Sequence, residues 1–170
     1  MVNRIARMLK ENSAVEYGEF LLASGAKSSY YLDVKSALVN PSVLEAVGHE
    51  IAKTASFDVV AGVAVGGVPI AVATSFASKK PYAIIRTGEK SHGKGGQVIG
   101  NVAGKQVLLV EDVTTSGGSA LYGIEILRAE GAVIDRVVTV VDREQGAAAM
   151  LAGHKIILQP LVRVSDLLKE

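Results

Sequence analysis

Short β-branched segments alternate with longer helix-forming segments through most of this chain, and that alternation restricts the fold more than any other feature. The segments predicted as strands are 59–63, 82–86, 106–110, 136–141 and 155–158. Helices are predicted before and between them at 42–55, 68–77, 119–130 and 147–151. Strands joined by crossover helices pair in parallel, and the helices cover the faces of the sheet. The sequence therefore predicts an α/β domain built on a mainly parallel sheet.

The first part of the chain lacks this alternation. It begins with a helical pattern and continues into "YGEFLLASGAKSSYYLDVK" (17–35), which is predicted as extended segments around a turn at Ser24 and Gly25. With 170 residues, the chain is long enough for one domain with a sizeable core. We expect a single domain in which residues 1–40, helped by the C-terminal tail, form a small lid over a core at 41–145.

Charge, cysteine content and hydropathy exclude several classes of protein. A net charge of +1 provides none of the basic excess that accompanies nucleic-acid binding. The absence of cysteine excludes disulfides and thiolate chemistry, and it fits a reducing compartment. The longest apolar run (59–74) is broken by Gly66, Gly67 and Pro69, which predicts a buried strand, turn and helix rather than a membrane span. We expect a soluble, cytoplasmic protein without nucleic-acid or membrane partners.

The segment "EDVTTSGGS" (111–119) combines two acids with a turn rich in hydroxyl groups and glycine. It has neither the spaced glycines of the dinucleotide fingerprint nor the Gly-Lys-Ser/Thr of the Walker motif. A turn of this kind at the start of a helix suits the terminal oxygens of a phosphate monoester, while Glu111 and Asp112 suit the vicinal diol of a ribose. We therefore predict a ribose 5-phosphate ligand. The alternative is an unliganded strand end followed by a helix N-cap at Ser116 or Ser119.

The segment "RTGEKSHGKGG" (86–96) carries Arg86, Lys90, His92 and Lys94 among several glycines. Such a sequence does not form a rigid element. A cationic loop that closes over a site can stabilise a departing polyanion and exclude water, which predicts a pyrophosphate leaving group. The alternative is an ordinary solvated basic loop.

Together these motifs resemble a known family. "VLLVEDVTTSGGS" (107–119) resembles the phosphoribosyl-diphosphate (PRPP) signature of the type I phosphoribosyltransferases. "FLLASGAKSSYYLDVK" (20–35), "GVAVGGVPIA" (62–71), the basic loop and "VVDREQG" (140–146) resemble the orotate phosphoribosyltransferases in particular. The resemblance covers nearly the whole chain. It implies a type I phosphoribosyltransferase fold, with a central mainly parallel sheet flanked by helices and a small N-terminal lid (hood) subdomain.

The resemblance also implies an activity. The 5-phosphoribosyl group of PRPP would be transferred to orotate, giving orotidine 5′-phosphate and pyrophosphate in pyrimidine biosynthesis. The cofactor would be Mg²⁺, held through PRPP and water because no cage of acids is visible in the sequence. The enzyme would be a homodimer in which the flexible basic loop is shared across the interface.

Individual roles follow from the same resemblance. The residues implied in PRPP binding are Arg86, Lys90, His92, Glu111, Asp112, Val113, Thr114, Thr115, Ser116, Gly117, Gly118 and Ser119. Lys90 and Asp112 are implied as catalytic residues. Thr115 and Arg143 are implied in orotate binding, with Arg143 pairing with the orotate carboxylate. For Arg143 the alternative is a salt bridge to Asp142 or Glu144.

The chain departs from the best-known bacterial pattern where that pattern has lysine: Ala23, Gly66 and Thr87 stand at those positions. Because these lysines are absent, we expect pyrophosphate to be bound mainly by Arg86, Lys90 and Mg²⁺. Two other functions stay open at this point, a purine phosphoribosyltransferase and a non-catalytic PRPP-sensing regulator. Arg143 and the lid motif argue against the first, and the absence of a helix-turn-helix pattern in residues 1–40 argues against the second.

Overall fold

The computed structural model of the chain describes residues 3–21, 25, 27–88 and 96–169. Its helices are α1 (Arg4–Glu11), α2 (Val34–Leu38), α3 (Pro41–Ala52), α4 (Gly67–Ser78), α5 (Gly118–Ala129), α6 (Ala147–Gly153) and α7 (Val164–Leu167). Its strands are β1 (Val15–Leu21), β2 (Lys27–Leu32), β3 (Val59–Val63), β4 (Tyr82–Ile85), β5 (Val98–Ile99), β6 (Val107–Thr114), β7 (Arg136–Asp142) and β8 (Ile157–Arg163).

The central sheet has six strands in the order β5-β4-β3-β6-β7-β8. Every neighbouring pair from β4 to β8 is parallel, and the short β5 pairs antiparallel with β4. The predicted mainly parallel sheet is therefore confirmed. The two-residue β5 was not predicted, because so short a strand has no periodicity of its own and exists only through its pairing with β4.

Helices cover both faces of this sheet, and the side chains of each buried strand alternate between them. In β3, Val60 packs into a cluster with α1, α2, α3, α4 and α7, whereas Val59, Ala61 and Val63 pack into a second cluster with α5 and α6. Burial on both faces explains why these strands are continuous apolar runs rather than alternating ones. The predicted strand, turn and helix at 59–74 is also confirmed, as β3 and the first half of α4. Within the ranges that the structure describes, no helix has the length and apolar character needed to cross a membrane.

Two strand predictions had wrong boundaries. The strand predicted to end at 110 continues through Glu111 and Asp112 to Thr114, because β6 stays paired with β7 as far as Thr114 and Asp142. The last strand begins at Ile157 rather than 155 and continues to Arg163, following the β7 register. It lies at the edge of the sheet, which is where a strand tolerates a proline such as Pro160. In both cases pairing with a neighbour outweighs the weak strand propensity of the residues concerned.

The N-terminal lid contains an antiparallel hairpin of β1 and β2, which forms its own two-stranded sheet. Gly25, in the predicted turn, has a φ of +81°, which favours glycine; Ser24 lies outside the described residues. The preceding helix α1 packs on the main core through Ile5 and Leu9. Asn3 Nδ2 also donates a hydrogen bond to the carbonyl oxygen of Leu161, so the N-terminus is tied to β8.

Candidate functional site

The segments singled out in the sequence meet at one edge of the sheet. Since β3, β4, β6 and β7 are parallel, their carboxyl ends lie at the same edge, where ligands bind in open α/β sheets. Two hydrogen bonds join the segments that follow these strands. Ala64 N donates to the carbonyl oxygen of Ile85 (2.8 Å), and Arg143 N donates to that of Thr114 (2.9 Å). The turn after β3, Arg86, the 115–117 turn and Arg143 are therefore neighbours.

The turn between β6 and α5 forms a small pocket of about 210 Å³. It is lined by Glu111, Val113, Thr114, Thr115, Ser116, Gly117, Gly118, Ser119 and Ala120. Gly117 has a φ of +88°, and in the described chain no side chain caps α5. The alternative prediction of an N-cap at Ser116 or Ser119 is therefore wrong. The first N–H groups of α5 face a pocket that suits an anion.

The two acids that precede this turn are buried and face different neighbours. Glu111 and Asp112 are only 4% and 5% exposed. Successive side chains of a strand point to opposite faces, so Glu111 faces α5, where it accepts a hydrogen bond from Ser119 Oγ (2.9 Å). Asp112 faces α2, and its Oδ2 lies 2.7 Å from Lys35 Nζ. The pair thus borders both the pocket at the start of α5 and the α2 side of the sheet.

Gly66 lies directly beside Asp112. A Cβ atom at Gly66 would lie 2.6 Å from Asp112 Cγ, which is closer than non-bonded atoms approach. A lysine at this position, as in the bacterial pattern, would therefore require the Asp112 carboxylate to move. The Asp112 carboxylate can occupy its observed position because residue 66 has no side chain.

Burial shifts the protonation of Glu111. Burial, reinforced by the negative charge of Asp112, raises the pKa of Glu111 from 4.5 to about 7, although the Ser119 hydrogen bond and the charge of Lys35 act in the opposite direction. Between these two pH values the folded protein holds a proton that the unfolded chain has released. The free energy of unfolding should therefore fall as pH rises from about 4.5 to about 7.

We expect Glu111→Gln to be more stable than the wild type at pH 8, because the variant has no buried charge to ionise. The pKa shift corresponds to a gain of up to ~3 kcal/mol, and the gain should shrink towards zero as the pH approaches 4.5. Urea unfolding at several pH values measures this difference. The control is Glu125→Gln, which removes an exposed carboxylate on α5. A stability difference between Glu111→Gln and the wild type that does not vary with pH would contradict the prediction.

Arg86 lies at the base of the predicted basic loop, and α5 holds that base in place. Arg86 N donates to the carbonyl oxygen of Gln97 (2.8 Å). The Tyr122 hydroxyl donates to the carbonyl oxygen of Arg86 (2.9 Å) and accepts from Gln97 Nε2 (2.7 Å). The residues that flank the segment 87–96 are therefore adjacent, and both are anchored on α5, the helix that begins at this pocket. Lys90 and His92 lie outside the described residues.

Arg143, at the end of β7, does not form the alternative salt bridge. Asp142 Oδ1 accepts hydrogen bonds from Thr114 Oγ1 (3.3 Å) and Glu144 N (3.0 Å), and Glu144 Oε2 accepts one from Ser165 N (2.9 Å). In the part of the chain that the structure describes, neither carboxylate forms an ion pair with Arg143. Arg143 Nε is buried there without a hydrogen-bond partner. A guanidinium group in this position is suited to a planar carboxylate ligand.

No role was predicted from the sequence for Lys35, Gln97 or Tyr122. Lys35 lies two residues after Asp33, whose side chain caps α2 by accepting a hydrogen bond from Ser36 N (3.0 Å). This cap indicates the start of a helix and says nothing about function. Nothing in the sequence near Lys35 indicates that it reaches Asp112. No group of three or more potential metal ligands occurs within 3–21, 27–88 and 96–169.

Comparisons with known proteins show the family to which the chain is related. Residues 37–162 match the family model of the phosphoribosyl transferase domain. The chain is 63% identical over 168 residues to the orotate phosphoribosyltransferase of Methanoculleus marisnigri, with 99% of each chain covered. Its fold is similar to the crystal structure of orotate phosphoribosyltransferase from Aeropyrum pernix (TM-score 0.84, 33% identity, 96% of each chain). It is also similar to the Mycobacterium tuberculosis orotate phosphoribosyltransferase in complex with PRPP (TM-score 0.81, 27% identity, 97% of each chain).

Proposed function

The chain belongs to the phosphoribosyltransferase family and, within it, to the orotate phosphoribosyltransferases, and from this membership we infer that it forms orotidine 5′-phosphate. It transfers the 5-phosphoribosyl group of PRPP to orotate and releases pyrophosphate. The observation in the structure that best supports this function is the uncapped start of α5, which adjoins the buried acids Glu111 and Asp112. Phosphate-binding and diol-binding groups therefore adjoin one another, as a ribose 5-phosphate requires.

For PRPP we propose that the 5-phosphate is bound by the turn from Thr115 to Ser119. The N–H groups and hydroxyls of that turn provide donors for a phosphate, and the pocket volume of about 210 Å³ suits a group of that size. Glu111 and Asp112 accept hydrogen bonds from the ribose diol. Ser119 donates to Glu111 through its side chain, and therefore links the diol-binding and phosphate-binding parts of the site.

The reaction breaks the bond between ribose C1 and the diphosphate oxygen and forms a bond between C1 and a ring nitrogen of orotate. The transition state has oxocarbenium character, so the protein does not need to provide a nucleophile. Its residues orient the two substrates, stabilise the leaving group and exclude water. We propose that Lys90, Arg86 and His92 act on the pyrophosphate, and that Lys90 and Asp112 are the catalytic residues.

Orotate is proposed to bind between Thr115 and Arg143. The buried Arg143 Nε has no hydrogen-bond partner in the described chain, and Arg143 N is bonded to the end of β6. Arg143 is therefore next to the turn that lines the pocket at the start of α5. A guanidinium group forms two parallel hydrogen bonds to a planar carboxylate, and this bidentate contact favours orotate over bases without a carboxylate.

Mg²⁺ is the proposed cofactor. Glu111 and Asp112 come directly before the turn that starts α5, and within the described ranges no group of three or more potential metal ligands occurs. Such a site fits an ion held mainly by PRPP oxygens and water, with the acids contributing through hydrogen bonds to that water. When bound, Mg²⁺ neutralises charge on the departing diphosphate.

We also propose a homodimer in which the loop carrying Lys90 serves the site of the partner. An exposed apolar surface supports this proposal: Phe76 is 71% exposed beside a groove of about 520 Å³ lined in part by Leu44, Val72 and Ala73. Exposed apolar surface of this kind marks a protein interface. Its proposed occupant is a second copy of this chain.

We also propose a cytoplasmic location, which the absence of cysteine supports.

An ultraviolet assay of orotate consumption with PRPP and Mg²⁺ tests the function directly. Uracil, hypoxanthine and adenine serve as competing bases under the same conditions. We expect turnover of orotate and little or none of the others, because only orotate carries the carboxylate that Arg143 binds. Turnover of a purine in preference to orotate would support the purine alternative, and binding of PRPP without turnover of any base would support the regulator.

A further inference from the structure

Lys35 reaches the catalytic acid from outside the segment that forms the phosphate pocket. It lies in α2, immediately after the lid hairpin, and its Nζ is 2.7 Å from Asp112 Oδ2 on β6. The Lys35 side chain is 66% exposed, whereas that of Asp112 is 8% exposed. The lysine therefore approaches a buried carboxylate from the solvent side, and most of its side chain has room to move.

The negative charges of Glu111 and Asp112 would repel PRPP, and Lys35 can offset that repulsion. PRPP is a polyanion, and its ribose must approach the two buried carboxylates of Glu111 and Asp112. Two acids without a cation would repel the diphosphate, most strongly in a site from which water is excluded. Gly66 provides no cation, because glycine has no side chain, and a Cβ atom at this position would require the Asp112 carboxylate to move. Lys35 is the described lysine that contacts this acid pair.

We propose that Lys35 is a PRPP-binding residue: it neutralises Asp112 in the free protein and binds the diphosphate group when PRPP is present. This proposal rests on the proposed assignment of Asp112 to the ribose diol. The diphosphate is attached to C1, the carbon next to the one that carries the 2-hydroxyl. An ammonium group beside the acid that holds the diol is therefore beside the diphosphate oxygens as well. Release from Asp112 requires only rotation of the exposed side chain.

Asp112 also keeps the ammonium charged. The hydrogen bond to Asp112 raises the pKa of Lys35 above its ordinary value, with further contributions from the charges of Asp112 and Glu111. Lys35 is therefore protonated throughout the neutral range and can bind an anion without taking up a proton. A flexible ammonium group binds a phosphate as a point charge, which tolerates the movement of the diphosphate as it leaves.

Calorimetry with Lys35→Ala tests this role. The ligands are PRPP, pyrophosphate and ribose 5-phosphate, each with Mg²⁺. We expect PRPP and pyrophosphate to bind roughly 10- to 100-fold more weakly, the scale for losing a hydrogen bond to a charged group. The affinity for ribose 5-phosphate should change by less than about 3-fold, because this ligand has no diphosphate for Lys35 to bind. In steady-state assays the KM for PRPP should rise while the KM for orotate stays nearly constant. Lys35→Arg should recover most of the lost affinity, and Lys35→Gln should not.

A double-mutant cycle separates binding of the diphosphate from simple neutralisation of Asp112. In an Asp112→Asn background there is no carboxylate to neutralise, so Lys35→Ala should still weaken pyrophosphate binding if Lys35 contacts the ligand. No further loss in that background would overturn the proposal. The control is Lys53→Ala, which removes the Lys53–Glu50 ion pair on the exposed face of the protein and should change none of the affinities.

Other outcomes are equally decisive. Equal weakening of PRPP and ribose 5-phosphate, together with a lower unfolding temperature, would mean that Lys35 only holds α2 against β6. Unchanged PRPP binding by a folded Lys35→Gln variant would also overturn the proposal. If the wild-type protein bound neither PRPP nor ribose 5-phosphate, the proposed function itself would fail, and that result is distinct from a failure confined to Lys35.

Discussion

Lys90→Ala should lower kcat by roughly 10²- to 10³-fold, the scale observed when one charge-stabilising group is removed from a transition state. The reason is that Lys90 is proposed to neutralise the pyrophosphate as the bond to ribose C1 breaks. The basis for Lys90 is the resemblance of its loop to the family. The described ends of that loop, Arg86 and Gln97, meet at Tyr122 of α5. Both described ends lie at the carboxyl end of β4, at the edge of the sheet where the pocket before α5 lies.

Subunit exchange shows whether Lys90 acts on its own site or on that of the partner. Asp112→Ala should also be severely impaired, because the ribose diol loses an acceptor. When the two inactive variants are mixed, a hybrid dimer with shared loops has both lesions in one site and an intact second site. Random exchange makes about half the dimers hybrid, so roughly a quarter of the wild-type activity should return.

The experiment requires proof that dimers form and exchange. Light scattering gives the oligomeric state of each variant, and two differently tagged copies report exchange by co-purification. Mixing Lys90→Ala with itself after the same treatment is the matched control. If exchange is verified and no activity returns, Lys90 acts within its own chain, and the shared-loop proposal is wrong.

Arg143→Ala should raise the KM for orotate far more than the KM for PRPP, because only the base carboxylate loses its partner. Removing one member of a buried charged pair costs about 2 to 5 kcal/mol. Arg143→Lys keeps the charge but not the planar fork, so its KM for orotate should lie between those of Arg143→Ala and the wild type. Steady-state kinetics with each substrate varied in turn measure the effects.

Arg128→Ala is a suitable control for the arginine variants, because Arg128 is exposed and its guanidinium donates to the carbonyl oxygen of His154 on the far side of α5. It should leave both KM values unchanged. Equal increases in the two KM values for Arg143→Ala, or loss of folding, would indicate a structural role for Arg143. The unfolding temperature of each variant separates these outcomes.

Much of the fold was predictable because its signals are local. The β3 segment is a continuous apolar run and β7 is rich in valine, because both faces of the sheet are covered by helices and the strands bury residues on both sides. The turn between β6 and α5 was recognisable because the glycine and hydroxyl residues that bind an anion must be consecutive at a helix start. The cationic segment that begins at Arg86 was recognisable for a similar reason, because its charged residues and glycines are close together in the sequence. The sequence by itself therefore determined the fold class and the loops that are proposed to bind the substrates.

Only the tertiary structure decided how the groups around these loops are paired. Lys35 and Asp112 are distant along the chain, and they meet because α2 packs beside the end of β6. Tyr122 and Gln97 likewise close the base of the basic loop through contacts between separate elements. The continuation of β6 to Thr114 depends on its pairing with β7, although its acids disfavour a strand. Interactions of this kind leave no periodic or local mark in a sequence, because they depend on which elements pack together and not on neighbouring residues.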